Sequence, residues 1–256
     1  MRIFILTLNV FLLITIFTAS LQALDKNGMV LYLSFDEGKG DTAGDSSGND
    51  NDGILEGNIE WVDGQQGKAV RISDDDAGNL VRVADDDTLD ITDDMTIGMW
   101  VNIETIPDGS CSIITKADTY MIHTSNWSGN GIEQELLLWP FDAWQTAAST
   151  PIPLNEWHHV TGVYDGESII MYIDGDLGGK RDRGGKTTVT QNDLIIGRDS
   201  RGCCNTRRSL VTIDEVAMYN RPLAEDEVEE LMQSSIIAVK PAESIATKWS
   251  DVKAYY

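Results

Sequence analysis

The sequence predicts an all-β fold, antiparallel strands packed as a sandwich around one core, with a single short helix near the C-terminal end. Three observations predict it. Apolar residues recur at period two between turn residues, helical periodicity is confined to one segment, and Asp-Gly pairs stand where strands must reverse. The first 23 residues stand apart from this pattern. Met1-Arg2 is a positive start, Ile3 to Phe17 is apolar apart from Thr7, Asn9 and Thr15, and Thr18 to Ala23 is small and polar. That order is a secretory signal peptide cleaved near Ala23, with an uncleaved anchor as the alternative. Its apolar run, about 15 residues, is shorter than the roughly 20 a spanning helix needs, and no later segment is a membrane-spanning candidate. The chain thus divides into a signal peptide over 1–23, one domain over 24–235 and a tail over 236–256.

Taken in order, Leu31, Leu33 and Phe35 alternate within an early strand, and Ala69 to Ile72 and Leu80 to Ala84 add two short ones. Met95, Ile97, Met99, Val101 and Ile103 form one continuous apolar face, with Thr96, Gly98, Trp100 and Asn102 on the other, which marks a sandwich strand and its inner side. Ser112 to Lys116 and Leu136 to Trp139 follow. His158 to Tyr164 meets Asp165-Gly166 and returns as Ser168 to Ile173, a hairpin whose Asp-Gly pair suits the two positive φ angles of a type I′ turn. Asp174-Gly175 ends the return strand. Ala224 to Gln233 is the helix, with Val228, Leu231 and Met232 as its apolar stripe and Glu225, Asp226 and Glu227 at its N-terminus. Ile236 to Val239 could form one more strand within the tail.

Composition narrows the function. The 42 acidic residues against 19 basic ones give a net charge of −23. Such a surface repels phosphate backbones and attracts cations, which argues against nucleic acid as a partner. After export Cys111 can bridge to Cys203 or Cys204, leaving one thiol over; a vicinal Cys203-Cys204 bridge and no bridge at all are the alternatives.

Five motifs, in order, resemble the laminin-G-like jelly-roll domains of the concanavalin A-like lectin/glucanase superfamily. They are Leu33-Ser34-Phe35-Asp36-Glu37-Gly38, then Asp45 to Gly53, then Glu156-Trp157-His158-His159-Val160 with Tyr164-Asp165-Gly166, then Tyr172-Ile173-Asp174-Gly175, and last Ile213-Asp214-Glu215-Val216 with Tyr219 to Leu223. The resemblance spans residues 29 to 233 and implies two face-to-face antiparallel sheets, six or seven strands each, one of them curved around a shallow concave surface. Two departures stand out. Ala224 replaces the usual Ser or Thr N-cap, and the loop Arg198 to Arg208 carries four arginines with the cysteine pair.

The resemblance also implies a calcium ion between the first strand, the following loop and the late Asp-Glu strand. Asp36 and Asp214 would supply carboxylates, and Ser47, Asn49 and Asn51 amide and backbone oxygens. Asp214 points the same way without it, because a carboxylate inside the apolar run Leu210 to Met218 is costly unless something pairs with it. An EF-hand reading of Asp45 to Gly53 fails, since its register puts Gly48 at the first ligand position and Ile59 at the last.

Carbohydrate is the ligand the aromatic residues suggest: Tyr120, Trp127, Trp139, Phe141 and Trp144 could stack on sugar faces, whereas Trp100 and Trp157 suit the core. An extracellular protein ligand or a structural envelope role is the alternative. A glycosidase is the third reading. Glu133 and Glu135 share a strand face, but the Glu-x-Asp-x-Glu arrangement of the related enzymes is absent, and His158 and His159 point to opposite faces. The sequence therefore predicts a calcium-supported binding module and not an enzyme.

Overall fold

The computed structural model describes residues 25–76, 78–106, 109–126, 132–138, 149–199 and 209–233. The signal segment and tail lie outside these, and so do Trp127, Trp139, Phe141, Trp144, Cys203 and Cys204. The strands are β1 (Met29–Leu33), β2 (Thr42–Ala43), β3 (Gly53–Glu56), β4 (Ile59–Asp63), β5 (Lys68–Ile72), β6 (Leu80–Val83), β7 (Met95–Thr105), β8 (Ser110–Lys116), β9 (Tyr120–Ser125) and β10 (Glu133–Leu138). They continue as β11 (Trp157–Tyr164), β12 (Ser168–Ile173), β13 (Asp176–Asp182), β14 (Leu194–Ile196) and β15 (Leu210–Tyr219), and α1 (Glu225–Gln233) closes the domain.

Alternation translates directly into layers. One sheet runs β13-β12-β11-β7-β15-β5-β4, with β1 added beside β15, and the other runs β10-β9-β8-β14-β6-β3-β2. Two antiparallel sheets, of eight and seven strands, thus face each other as a jelly-roll sandwich. Met95, Ile97, Met99, Val101 and Ile103 are all buried on the inner side of β7, as their spacing predicts, and meet Ile114, Ile122, Leu136 and Leu194 of the second sheet in one core. At Gly162 the sheets approach too closely for a side chain: a Cβ there would lie 2.9 Å from Cδ1 of Ile122 and 3.1 Å from Cβ of Leu136.

The helix covers the outer side of the first sheet. Val228 and Leu231 pack against Tyr32, Val163, Tyr172, Ala217 and Tyr219, a second apolar cluster. Ala224 cannot accept from the helix amides, yet its own N–H is satisfied by Oε2 of Glu227 at 2.9 Å. The Arg221 guanidinium grips that carboxylate with two bonds, 2.9 and 2.7 Å. Half of a capping box survives without the hydroxyl.

Three expectations change. The β11–β12 connection is not type I′, because only Gly166 has positive φ; the Asp165 carboxylate instead accepts from the N–H groups of Glu167 and Ser168. The two-residue turn with both φ positive is Asp174-Gly175, between paired Ile173 and Asp176, so it opens onto β13, a strand whose Gly-rich, charged sequence hid it. Trp100 and Trp157 lie half-buried on the outward side of the first sheet, not in the core between sheets, because each sits on the polar phase of its strand.

We expect Ile97→Ala, which opens a void in the shared core, to cost about 2–5 kcal/mol in urea unfolding, whereas Leu154→Ala on the surface changes stability by less than about 0.5 kcal/mol.

Candidate functional site

β15 is the strand on which the site is built. β7 takes one of its edges from Leu210 to Tyr219, so two other strands share the second edge in succession: β5 along Val211–Ile213 and β1 along Val216–Tyr219. Between them Asp214 and Glu215 face a gap. The chain bulges there against β7, and Glu215 adopts φ 54°, a left-handed conformation that a non-glycine residue takes only under constraint.

The gap is filled by the turn from β4 to β5 and by the chain leaving β1. Oδ2 of Asp214 accepts from the Gln66 N–H at 2.9 Å, and Oδ1 of Asp36 accepts from the Lys68 N–H at 2.9 Å. Glycine at both ends of the turn lets it sit down on the carboxylates. A Cβ on Gly64 would lie 2.5 Å from Oδ2 of Asp214, and one on Gly67, at φ 54°, only 1.9 Å from Oδ1 of Asp36. Glu215 lies behind, its carboxylate accepting from the Tyr32 hydroxyl.

Asp36 is exposed, while Asp214 and Glu215 are buried. Burial, opposed by the Gln66 amide and reinforced by Asp36, pushes the Asp214 carboxyl up to about 7. Burial, opposed by Tyr32 and reinforced by Asp214 and Asp36, pushes Glu215 up to about 8. No ion pair joins any of the three among the described residues, and no well-aligned hydrogen bond reaches the buried Oδ1 of Asp214, although the backbone amides of Gln65 and Glu215 lie near that carboxylate. Such a cluster is relieved by a proton or by a cation.

The structure therefore brings Asp36 and Asp214 to one turn with Glu215 behind them, although among the described residues no group of three such side chains is placed to hold a metal ion, and it sets Ser47, Asn49 and Asn51 along β1. Asp45 pairs with Leu33, and from there the loop runs back along β1, away from Asp36. Asn49 Nδ2 donates to the carbonyls of Met29 and Val30 (3.2 and 3.3 Å), Asn51 Nδ2 to Val30 O and Thr88 Oγ1 (both 2.9 Å), and Ser47 Oγ to Val30 O (3.2 Å). Asp45 organises the loop, accepting from the N–H groups of Tyr32, Ser47 and Asn51. These side chains satisfy the free edge of β1, about 10 Å of strand away from the carboxylates. Asp45 carried this signal in Asp-x-Ser spacing, a common side-chain turn, and Glu215 had none beyond its position next to Asp214.

The remaining candidates separate. Tyr120 is fully buried between the sheets with its hydroxyl on Leu89 O (2.9 Å), so it packs the core and cannot stack on a ligand. Cys111 is a free, fully buried thiol whose pKa burial pushes up to about 12. Glu135 meets His123 at 3.3 Å across β9 and β10, and Glu133 pairs with Ser125. His158 and His159 do point to opposite faces: His159 is kept neutral by burial, down to about 4, with Trp100 edge-on at 5.3 Å, while His158 turns toward the rim.

At that rim lies an open cleft of about 280 Å3, between the segment Thr150–Ile152, His158 at the start of β11, and the Asp174-Gly175 turn into β13. No motif announces it, because its walls come from three segments separated along the chain.

A family model described as the concanavalin A-like lectin/glucanases superfamily matches residues 75–229, more than half of the chain. Among solved structures, the binding domain of Paraclostridial Mosquitocidal Protein 1 is similar with TM-score 0.64 and 18% identity, over 81% of this chain and 52% of that one. Domain 4 of AbnA, an extracellular GH43 arabinanase from Geobacillus stearothermophilus, in complex with arabinotriose, is similar with TM-score 0.61 and 20% identity, over 80% of this chain and 98% of that one. The binding domain of botulinum neurotoxin DC in complex with rat synaptotagmin II gives TM-score 0.63 and 15% identity, over 81% and 52%. The chain thus spans about half the length of the toxin domains and nearly all of the arabinanase domain. No curated protein matches. Among the described residues no helix is long and apolar enough to cross a membrane.

In calcium-free buffer the raised carboxyls favour the folded state while protonated, and that contribution is lost as pH rises from the ordinary carboxylate range through about 7. Urea unfolding at pH 5 and pH 8 should show Asp214→Asn gaining on the parent protein by on the order of 2–4 kcal/mol at the higher pH.

Proposed function

Because the chain belongs to the concanavalin A-like lectin/glucanases superfamily, we propose that it is an exported, calcium-supported module that binds carbohydrate and does not transform it. The observation that carries the calcium reading is the buried Oδ1 of Asp214, which no well-aligned hydrogen bond reaches, beside Asp36 and Glu215. A hard divalent cation would replace the missing counter-charge and accept oxygen donors of this kind. Asp36 and Asp214 would hold it as a pair completed by backbone oxygens and water, since among the described residues no group of three acidic, histidine or cysteine side chains is placed to hold a metal ion and the Glu215 carboxylate accepts from the Tyr32 hydroxyl. Ser47, Asn49 and Asn51, whose Oγ and Nδ2 groups donate to Val30 O, lie along β1 at a distance from this pair.

An extracellular-type affinity, roughly 0.1–1 mM, would suffice in an exported protein. Calcium at about 100 times Kd then adds about 2.7 kcal/mol of stability. The melting temperature should fall on chelation and recover with added calcium, and Asp36→Ala and Asp214→Ala should each abolish the recovery. An equal calcium response in both variants would remove these residues from the site.

Carbohydrate is supported by the near full-length likeness to an arabinanase domain held with arabinotriose. A protein ligand is the second reading, supported by the likeness to a toxin domain held with synaptotagmin II. Glycan-array screening and affinity gels containing soluble polysaccharides separate the two. We expect retardation by at least one neutral polysaccharide, with no reducing ends released on prolonged incubation. Uniformly negative arrays would favour the protein ligand, and released sugar would make the chain a hydrolase.

A further inference from the structure

The cleft beside the Asp174-Gly175 turn carries an inference about the ligand itself. We infer that it is a subsite for one ring of a neutral saccharide; this rests on the carbohydrate reading above. Its size sets the first limit. Drug-sized ligands occupy roughly 300–1,000 Å3, and this cleft is about 280 Å3, which suits a single ring at the end or side of a chain.

Its chemistry sets the second. Buried Ile152 and Ile173 supply an apolar floor, and Leu177 stands at the rim with 58% of its surface exposed, an uncommon exposure for a large apolar side chain in this domain. The polar groups are acceptors. Asp174 receives the His159 N–H on Oδ1 and the His158 imidazole on Oδ2, both at 2.8 Å. Since a carboxylate only accepts, that contact places a hydrogen on Nδ1 of His158 and fixes its ring as a wall of the cleft, with Nε2 itself buried. Asp176 adds a carboxylate at the opposite lip with no ion pair among the described residues.

A complementary ligand must therefore donate several hydrogen bonds, present a C–H face to leucine and isoleucine, and carry no negative charge. Sugar hydroxyls on a pyranose or furanose ring meet all three conditions. An acidic sugar meets only two, because Asp174, Asp176 and a chain of net charge −23 repel it.

The test uses the whole chain with calcium present. Arabinotriose, cellotriose and galactotriose serve as neutral probes and N-acetylneuraminic acid as the anionic one, by calorimetry and by amide-shift mapping. Leu177→Ala and Asp176→Ala are both at exposed positions and should leave the melting temperature unchanged. We expect at least one neutral probe to bind, to shift the amides of Gly175, Asp176 and Leu177, and to weaken about tenfold or more in each variant, while N-acetylneuraminic acid leaves those amides still. A neutral probe that binds both variants as tightly as the parent overturns the subsite and leaves the carbohydrate reading standing. Failure of every saccharide overturns both. Shifts of the same amides by a divalent cation alone would make the cleft a cation site and overturn the saccharide assignment.

Discussion

Two strands must share one edge of β15, and the rest of the molecule accommodates that. β5 and β1 each bring a ladder of hydrogen bonds to the same edge, and their ends cannot meet without a gap. In a buried sheet an unfilled gap leaves amides orphaned, which costs free energy comparable to lost hydrogen bonds. Here the orphans are Gln66 and Lys68 N–H groups, and the acceptors that reach them are Asp214 and Asp36. The same carboxylates that complete the sheet are thus brought together, Asp214 shielded from water and Asp36 at the exposed side of the turn. The proposed cation site would thus share its origin with the need to complete the sheet.

Hydrophobic alternation made the layers legible, because a strand with one buried face announces its own phase; β7 is the clearest case. What stayed hidden were features fixed by contacts distant in sequence. Asp165-Gly166 and Asp174-Gly175 look alike as dipeptides, yet only the second has neighbours in a two-residue register, and the first is held open by its own carboxylate. Tyr120 reads as an exposed ring by its position near Trp127, but its phase on β9 turns it inward onto Leu89. The residues that the family resemblance offered for calcium divide for a similar reason: Asp36 and Asp214 meet at one turn, whereas the antiparallel course of the loop from Asp45 lays Asn49 and Asn51 along β1.

The large negative charge is organised at the places where arginine can reach it. Arg82 joins Glu56 and Asp193 on the outer side of β6, and Arg71 joins Glu104 and lies near Glu60 beside β5; both guanidinium groups are held still more firmly protonated by these partners. Lys116, fully buried, ties β8 to Asp85 and to Asn192 O. Among the described residues the cluster at the β15 gap has no such partner, and what distinguishes it from the other unpaired acidic groups is that Asp214 and Glu215 are buried.

The two proposed sites lie on one transverse row of the first sheet. Asp214 of β15 stands opposite Trp100 of β7, Trp100 opposite His159 of β11, and the His159 N–H donates to the Asp174 carboxylate at the lip of the cleft. At about 4.8 Å per strand spacing, roughly 14 Å separates the ends. Trp100 rests edge-on against the neutral ring of His159, so the row is continuous in side chains as well as in backbone. A cation at Asp214 therefore touches no residue of the cleft, and its influence there must pass through the register of β15 on β7 and of β7 on β11. Strain at a bulge is local, and a strand pair already locked by ladders on both sides has few alternative arrangements to choose among. In the proposed reading a cation would thus stabilise the platform that presents the cleft, while Asp176 and Leu177 at the other end of the row would meet the saccharide.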